Sequence, residues 1–386
     1  MRIAIFSDTF PPQTTNGVAN VAYQSAKGLA DRGHEVMVFT VSKDASRHND
    51  STRKNLSICY LPSLPALVYG NERLSFPIGF SFNRLRKFKP DIIHTHTPFS
   101  VGLEAVMCAK FFKVPLVGTH HTFYDHYLKH IGMNHDFGKK LSWKLTVSYY
   151  NRCDLILSPS QSLANAMVSK GLKKLTTVLK NSIDTKLFHP VKDNETKEKL
   201  KRYFGIEDRS VAYMGRLSYE KSIDQVIKAF PLMLEEMPSL KLMLIGDGPE
   251  KDKLKKLAEK LGVADNVIFT GFVYGETLAR ALQTNDVFIT ASKSENMPLS
   301  VLEAMSAGLP IVAAKENGLA EIVEENTNGF FARTDDPADI AQKTLAILSS
   351  PELLGKFSEG SRRLVMEYSE EKILTRLEDY YKELLK

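Results

Sequence analysis

The sequence predicts an α/β protein made of two doubly wound parallel-sheet domains. Short apolar runs alternate with helix-length amphipathic segments along the chain, in two successive blocks. The runs are apolar at every position rather than at alternate ones, as strands covered on both faces are. A length of 386 residues suits two domains better than one.

In the first block, strands are expected at residues 3–6, 36–40, 58–61, 91–94, 116–118, 155–158 and 177–179. Asn16 is placed to cap a helix that carries Val21, Ala22, Ser25, Ala26 and Leu29 at helical spacing and stops at Gly33. Residues 137–151 read as another helix. In the second block, strands are expected at 211–214, 241–245, 267–270, 287–290 and 310–313, and helices at 222–236, 250–261, 277–284 and 299–307. A break near His189-Pro190-Val191, followed by the charged stretch 192–202, divides the chain into domains 1–190 and 191–368. The last stretch, 369–386, sets Ile373, Leu374, Leu377, Tyr380, Tyr381 and Leu384 on one helical face, and no strand follows it.

A hydrophobic fraction of 43% and a charged fraction of 25% are those of an ordinary globular protein, which excludes collagen, coiled coil and wholesale disorder. No apolar run reaches the roughly 18 residues of a membrane span. The opening residues read as a first strand rather than a signal peptide. Cys59, Cys108 and Cys153 lie far apart without a CxxC, which suits a reducing cytoplasm and excludes a disulfide scaffold and a cysteine zinc site. Charge is unevenly spread. Residues 1–190 carry 24 Lys/Arg against 12 Asp/Glu, whereas 191–386 carry 27 against 33. A basic half points to an anionic partner: a nucleotide, nucleic acid or an acidic membrane surface. No nucleic-acid reader motif is present, so nucleic acid is not expected.

Doubly wound sheets bind ligands at the carboxyl ends of their strands, so with two facing domains the site is expected in the cleft between them. After the first strand, the loop 8–17 opens a helix but is not GxGxxG; Gly17 either lets backbone N–H groups approach a phosphate or only permits a turn. The clusters His94-Thr95-His96 and His120-His121 follow later strands without Cys, Asp or Glu in a ligand pattern, so hydrogen bonding to a polar ligand is favoured over a metal. In the second half, Arg216 and Lys221 bracket a loop that leads into a helix, an anion site suited to a diphosphate unless it is a solvated loop. Gly246-Asp247-Gly248-Pro249 makes a tight turn. Glu295 and Glu303 are spaced Glu-x7-Glu across Asn296, Met297, Pro298 and Leu299, with Pro298 suited to a first helical turn and amides there available to phosphate. Glu303 lies in an apolar stretch and needs a polar partner if buried.

Gly215-Arg216-Leu217 with Lys221, Gly246-Asp247-Gly248-Pro249, Gly271-Phe272-Val273, Glu295-x7-Glu303 with Ala304-Met305, and Asn181-Ser182-Ile183-Asp184 together resemble the retaining glycosyltransferases of family 4, over essentially the whole chain. The family usually reads Pro-Asn-Gly-Ile-Asp where this chain has Lys180-Asn181-Ser182-Ile183-Asp184. The resemblance implies the GT-B fold, with the 369–386 helix crossing back onto the N-terminal domain. It implies that Arg216 and Lys221 hold the donor diphosphate, Glu295 the sugar hydroxyls, Glu303 the ribose and Gly17 the donor phosphate. His121 corresponds to the histidine that touches the donor sugar, with His120 as the other register. Backbone around Phe272 and Val273 receives the base, and Gly215, Asn296, Met297, Pro298 and Leu299 complete the donor site. The chain has no Asp-x-Asp to hold a metal-diphosphate, so the two cations would stand in for a metal and no cofactor is expected. Front-face departure and attack is the implied retaining mechanism.

The function expected is hexosyl transfer, glucose first, from a UDP-linked sugar. The stretch 122–130, with Tyr124, His126 and Tyr127, mixes aromatics and cations and is similar to the acceptor-side segment of bacterial diacylglycerol glucosyltransferases. A lipid acceptor, a cytoplasmic enzyme and attachment to an anionic inner membrane face follow as expectations. A soluble acceptor remains the alternative, followed by an epimerase or hydrolase and a non-catalytic binding module.

Overall fold

In this computed structural model the described residues are 1–12, 14, 16–42, 50–65, 73–123 and 135–386. They divide into two compact units, Met1–Ser182 with Glu370–Lys386, and Ile183–Ser369.

The first unit alternates strand and helix: β1 (Arg2–Phe6), α1 (Gly17–Asp31), β2 (Glu35–Val41), β3 (Asp50–Arg53), β4 (Leu56–Leu61), the hairpin β5 (Ser63–Pro65) and β6 (Arg73–Ser75), α2 (Phe82–Phe88), β7 (Ile92–Thr95), α3 (Ser100–Phe112), β8 (Leu116–Thr119), α4 (Asp136–Tyr150), β9 (Leu155–Ser158), α5 (Gln161–Ser169) and β10 (Thr176–Val178). Among the described residues its main sheet runs β10-β9-β8-β7-β1-β2-β4-β3, parallel except for β3. Full burial of Ile3, Ile5 and Phe6 accounts for strands without polar alternation. Asn16 caps α1 by accepting from the Ala19 N–H at 2.8 Å.

The C-terminal helix belongs to this unit. On it, Ile373, Leu374, Leu377 and Tyr381 share a core with Ile3, Ile5, Val36 and Leu29. Gly28 of α1 makes the crossing close: a Cβ there would lie 2.3 Å from Leu374 Cδ1. Glu378 then takes hydrogen bonds from Arg32 Nε at 2.8 Å and Nη2 at 2.9 Å, with His34 Nε2 at 2.9 Å. These bonds, Arg32 first, hold the Glu378 carboxyl down to about 2.

The second unit comprises α6 (Asn194–Phe204), β11 (Ser210–Met214), α7 (Ile223–Glu236), β12 (Lys241–Ile245), α8 (Lys251–Lys260), β13 (Val267–Gly271), α9 (Gly275–Thr284), β14 (Val287–Thr290), α10 (Leu299–Ser306), β15 (Ile311–Ala313), α11 (Leu319–Ile322), β16 (Gly329–Phe331), α12 (Pro337–Leu348) and α13 (Pro351–Val365); α14 (Glu370–Leu384) is the helix that returns to the first unit. Its sheet is parallel in the order β13-β12-β11-β14-β15-β16. The charged stretch after residue 191 is α6, started by Asp193 accepting from Thr196 N at 2.7 Å and stopped by Gly205 at φ +71°.

The break falls at 182/183, ahead of the position expected at 190. Arg362 donates to the carbonyls of Phe188 and Thr185, both at 3.2 Å, and to Ser306 Oγ at 2.9 Å. Ser306 Oγ donates to the Phe188 carbonyl at 2.6 Å, and Gln283 Nε2 to that of His189 at 2.8 Å. These bonds tie residues 185–189 to the second unit.

Glu378 tests the seat of α14. Its folded pKa lies below the ordinary value, so its stabilisation is present above about 4.5 and is lost as pH falls from there through about 2. In urea unfolding, Glu378→Gln should cost about 1–3 kcal/mol at pH 7 and visibly less at pH 3. Equal losses at both pH values would contradict the assignment.

Candidate active site

In the second unit the expected residues collect on the loops that leave β11, β12, β13 and β14. Two glycines let these loops touch. Gly246 sits at φ +141°, and a Cβ on it would lie 2.0 Å from the Gly215 carbonyl oxygen, itself on a glycine at φ +153°. Backbone bonds join the loops: Gly215 N to Ile245 O, Leu217 N to Asp247 O, Glu250 N to Leu217 O and Gly246 N to Gly271 O, all at 3.0 Å. The loop before α10 is fixed from 318, whose N–H donates to the Glu295 carbonyl at 3.3 Å.

On this frame Lys221 Nζ donates to Glu295 Oε1 at 2.6 Å, with side chains only 15% and 16% exposed. The two motifs, 74 residues apart, thus meet as a direct ion pair. Arg216 is exposed, and its guanidinium makes no hydrogen bond or ion pair with the described residues. Pro298 forms the N-cap of α10 rather than its first turn, and no side chain caps the amides that follow. Asn296 and Met297 are buried beneath them. Glu303, on the fifth position of α10, is half-buried with no hydrogen bond or ion pair among the described residues. Desolvation pushes its carboxyl up to about 8. Past β13, Phe272 and Tyr274 are exposed, their rings 6.2 Å apart and 17° from parallel, while Val273 is half-buried.

In the first unit Gly17 is the exposed first residue of α1, with open space where a Cβ would stand. The loop after β1 is anchored by Asp8, which sequence reasoning passed over. Its carboxylate accepts from Thr97 Oγ1 and Ser100 Oγ, both at 2.6 Å, and from Val101 N at 3.0 Å, at the start of α3. Burial pushes its carboxyl up, opposed by these bonds. An Asp closing the first strand was the available signal.

The two histidine clusters come together at the ends of the adjacent strands β7 and β8. His94, His96 and His121 form a row of stacked rings, with centroids 4.4 and 5.2 Å apart. His120 instead packs on Tyr150 at 5.0 Å and Trp143 at 6.3 Å. Burial lowers all four: His94, His120 and His121 to about 3, and His96 well below its usual value, so the rings are neutral. Among the described residues no group of three or more His, Cys, Asp or Glu has the geometry to hold a metal ion. Tyr124, His126 and Tyr127 lie outside the described residues. Beyond that segment, α4 turns Phe137 and Leu145 to solvent, 70% and 63% exposed, on the stripe that carries Lys140 and Lys144. A groove of about 650 Å³ along it is lined by Lys139, Lys140, Trp143, Lys144 and Lys170.

Two parallel-sheet units, one with cations and carboxylates gathered on its loops, define a sugar-nucleotide transferase of the GT-B fold. Residues 15–187 match the model of Glycosyltransferase Family 4, and residues 195–364 that of Glycosyl transferases group 1. The chain is 30% identical over 361 residues to the alpha-monoglucosyldiacylglycerol synthase of Streptococcus pneumoniae, covering 92% of this chain and 80% of that one. The enzyme of the same name from Acholeplasma laidlawii is 29% identical over 397 residues, covering 100% and 98%. The sulfoquinovosyl transferase of Arabidopsis thaliana is 29% identical, covering 92% of this chain and 69% of that one. Among solved structures, an Anabaena protein in complex with UDP superposes with a TM-score of 0.81 at 20% identity over 99% of this chain and 100% of that one. The chain belongs to glycosyltransferase family 4 and is a glycosyltransferase.

Glu303 gives a signature readable without substrate. Its folded pKa lies above the ordinary carboxylate value, so its contribution to stability is full below about 4.5 and is lost as pH rises through about 8. Glu303→Gln should therefore melt with the wild type near pH 4 and above it at pH 9. An identical difference between the two proteins at both pH values would contradict the buried, unpaired carboxyl.

Proposed function

We propose that the chain transfers a hexose, glucose in the first instance, from a UDP-linked donor to a diacylglycerol-type lipid with retention of configuration. The observation that carries the donor half is the Lys221–Glu295 contact, with Arg216 on the same loop as Lys221 exposed and without a partner among the described residues. It sets an anion-binding cation and a hydroxyl-accepting carboxylate side by side. Arg216 and Lys221 hold the diphosphate and take up its growing charge as the glycosidic bond breaks. Glu295 accepts from sugar hydroxyls, and Glu303, without a partner among the described residues, accepts from the ribose. The N–H groups that follow Pro298 and the Gly215 loop line the phosphates, and backbone at Phe272–Val273 meets the base. In the first unit Gly17 and His121 keep the roles that family resemblance implies, at the donor phosphate and the donor sugar. Two fixed cations make a metal unnecessary in this scheme. The UDP preference is supported by the neighbours crystallised with UDP and with UDP-glucose.

The lipid acceptor is supported by the names of the sequence relatives and by the surface of α4. Its outward Phe137, Leu145, Lys140 and Lys144 pair apolar anchors with cations, as interfacial helices do. At the end of α3, Phe111 is likewise exposed beside Lys110 and Lys113, whereas Phe112 packs inward. No described helix is long and apolar enough to cross a membrane. In this scheme attachment is peripheral, on the cytoplasmic face.

The test is transfer from labelled UDP-glucose to vesicles that contain diacylglycerol, in EDTA. Glycolipid should form, and Arg216→Ala should lower kcat by a factor equivalent to about 2–4 kcal/mol, more than it weakens donor binding. Near-normal turnover in that variant would overturn the diphosphate assignment. Co-sedimentation with vesicles should need anionic lipid and fade with salt. A protein that stays in the supernatant at every salt and composition, yet glucosylates a soluble acceptor, would replace the lipid reading.

A further inference from the structure

His96 is not needed by the scheme above, yet it is built into the first unit with unusual care. It follows β7, while His121 follows the neighbouring β8, and the two strands run parallel with His94 opposite Val117. Backbone bonds extend the sheet past both strands: His96 N donates to Phe6 O and His120 N to Leu157 O, each at 2.9 Å. This brings His96 Nδ1 to 3.0 Å from His121 Nε2. The other nitrogen of His96, Nε2, is buried with no hydrogen-bond partner among the described residues.

That asymmetry decides which ring donates. Both rings are neutral, so each carries one N–H and one lone pair. If His121 donated, the proton of His96 would sit on Nε2 as a buried N–H with no acceptor. If His96 donates from Nδ1, its Nε2 is only a bare lone pair. Orphaned buried N–H groups are rarer than under-satisfied acceptors, so the second arrangement is favoured. His121, receiving at Nε2, then carries its own proton on Nδ1.

We infer that His96 is a positioning residue for His121: it holds the ring by donating Nδ1–H to Nε2 and fixes His121 as the tautomer that donates from Nδ1. The role of that donor rests on the reading in which His121 contacts the donor sugar. A sugar hydroxyl oxygen accepts an N–H, so the tautomer determines whether the contact can form. His96 is itself held between the rings of His121 and His94. His94 is pinned at both nitrogens, by Tyr381 Oη at Nδ1 and by Thr119 Oγ1 at Nε2, 2.6 Å away. The last helix, α14, thereby supports the row from its far end.

The test compares His96→Asn with His96→Leu in the full chain. The Asn amide can donate from nearly the position of Nδ1, whereas Leu fills the space without donating. A packing role favours Leu at this buried site; a positioning role favours Asn. Leu should lower kcat about 10–100-fold with the melting temperature near wild type, the range seen when an orienting hydrogen bond is removed, and Asn should recover most of that loss. The double variant His96→Leu/His121→Ala should be no slower than His121→Ala alone, because His96 acts through His121. Imidazole nitrogen shifts from histidine-labelled protein read the tautomer directly. Nδ1–H at His121 in the wild type and in His96→Asn, mixed in His96→Leu, is the expected pattern. Nε2–H at His121 in the wild type, or Leu tolerated better than Asn in turnover, overturns the inference. The expected tautomer together with normal turnover in His121→Ala overturns instead the sugar-contact reading, and the catalytic use of His96 with it.

Discussion

The second unit is organised around an ion pair largely shut off from water. Lys221 and Glu295 meet at 2.6 Å, each with little exposure, on loops that close backbone packing holds still. Such a pair is a weak source of stability, since withdrawing two charges from water offsets most of their attraction. It is well suited to being exchanged. A ligand that brings an anion to the lysine and hydroxyls to the carboxylate replaces one pairing by two, and no charge is left unpaired. A nucleotide-diphosphate sugar has that composition. Arg216 and Glu303 extend the pattern: a cation and a carboxyl without partners among the described residues stand on loops and a helix that are otherwise well bonded.

The first unit meets a different constraint. Its polar residues at the strand ends are buried, and most are bonded to one another, with His96 Nε2 an exception. Asp8 gathers three donors, one from Thr97 after β7 and two from the start of α3, and the histidine row is neutral throughout. Burial of uncharged rings makes orientation and tautomer, rather than charge, the properties this side can supply. One unit is thus arranged around charge and the other around hydrogen-bond direction.

Much of this was legible in the sequence, because the central strands of both sheets are mostly apolar and the donor motifs sit just after strands. Legibility failed where structure depends on contacts between distant residues. The three-residue strand β16 exists through pairing with β15, where a Cβ on Gly329 would lie 1.8 Å from the Ile311 carbonyl. The boundary moved to 182/183 because Arg362, late in the chain, binds the carbonyls of Thr185 and Phe188, and no local pattern announces that. The helices α12 and α13 do carry local signals, Asp336 and Ser350 as caps each followed by proline, and could have been read. In the site, the residues of the ion pair were legible singly but their pairing was not.

The central claim is that Lys221 and Glu295 separate to receive the two parts of one donor. Glu295→Gln, with calorimetric binding of UDP and turnover of UDP-glucose measured side by side, tests it most directly. Removing the carboxylate releases Lys221 from this ion pair and takes a negative charge away from the diphosphate, so UDP should bind at least as tightly as to the wild type. Turnover should fall, because the sugar loses its acceptor. Weaker UDP binding with turnover unchanged would contradict the account.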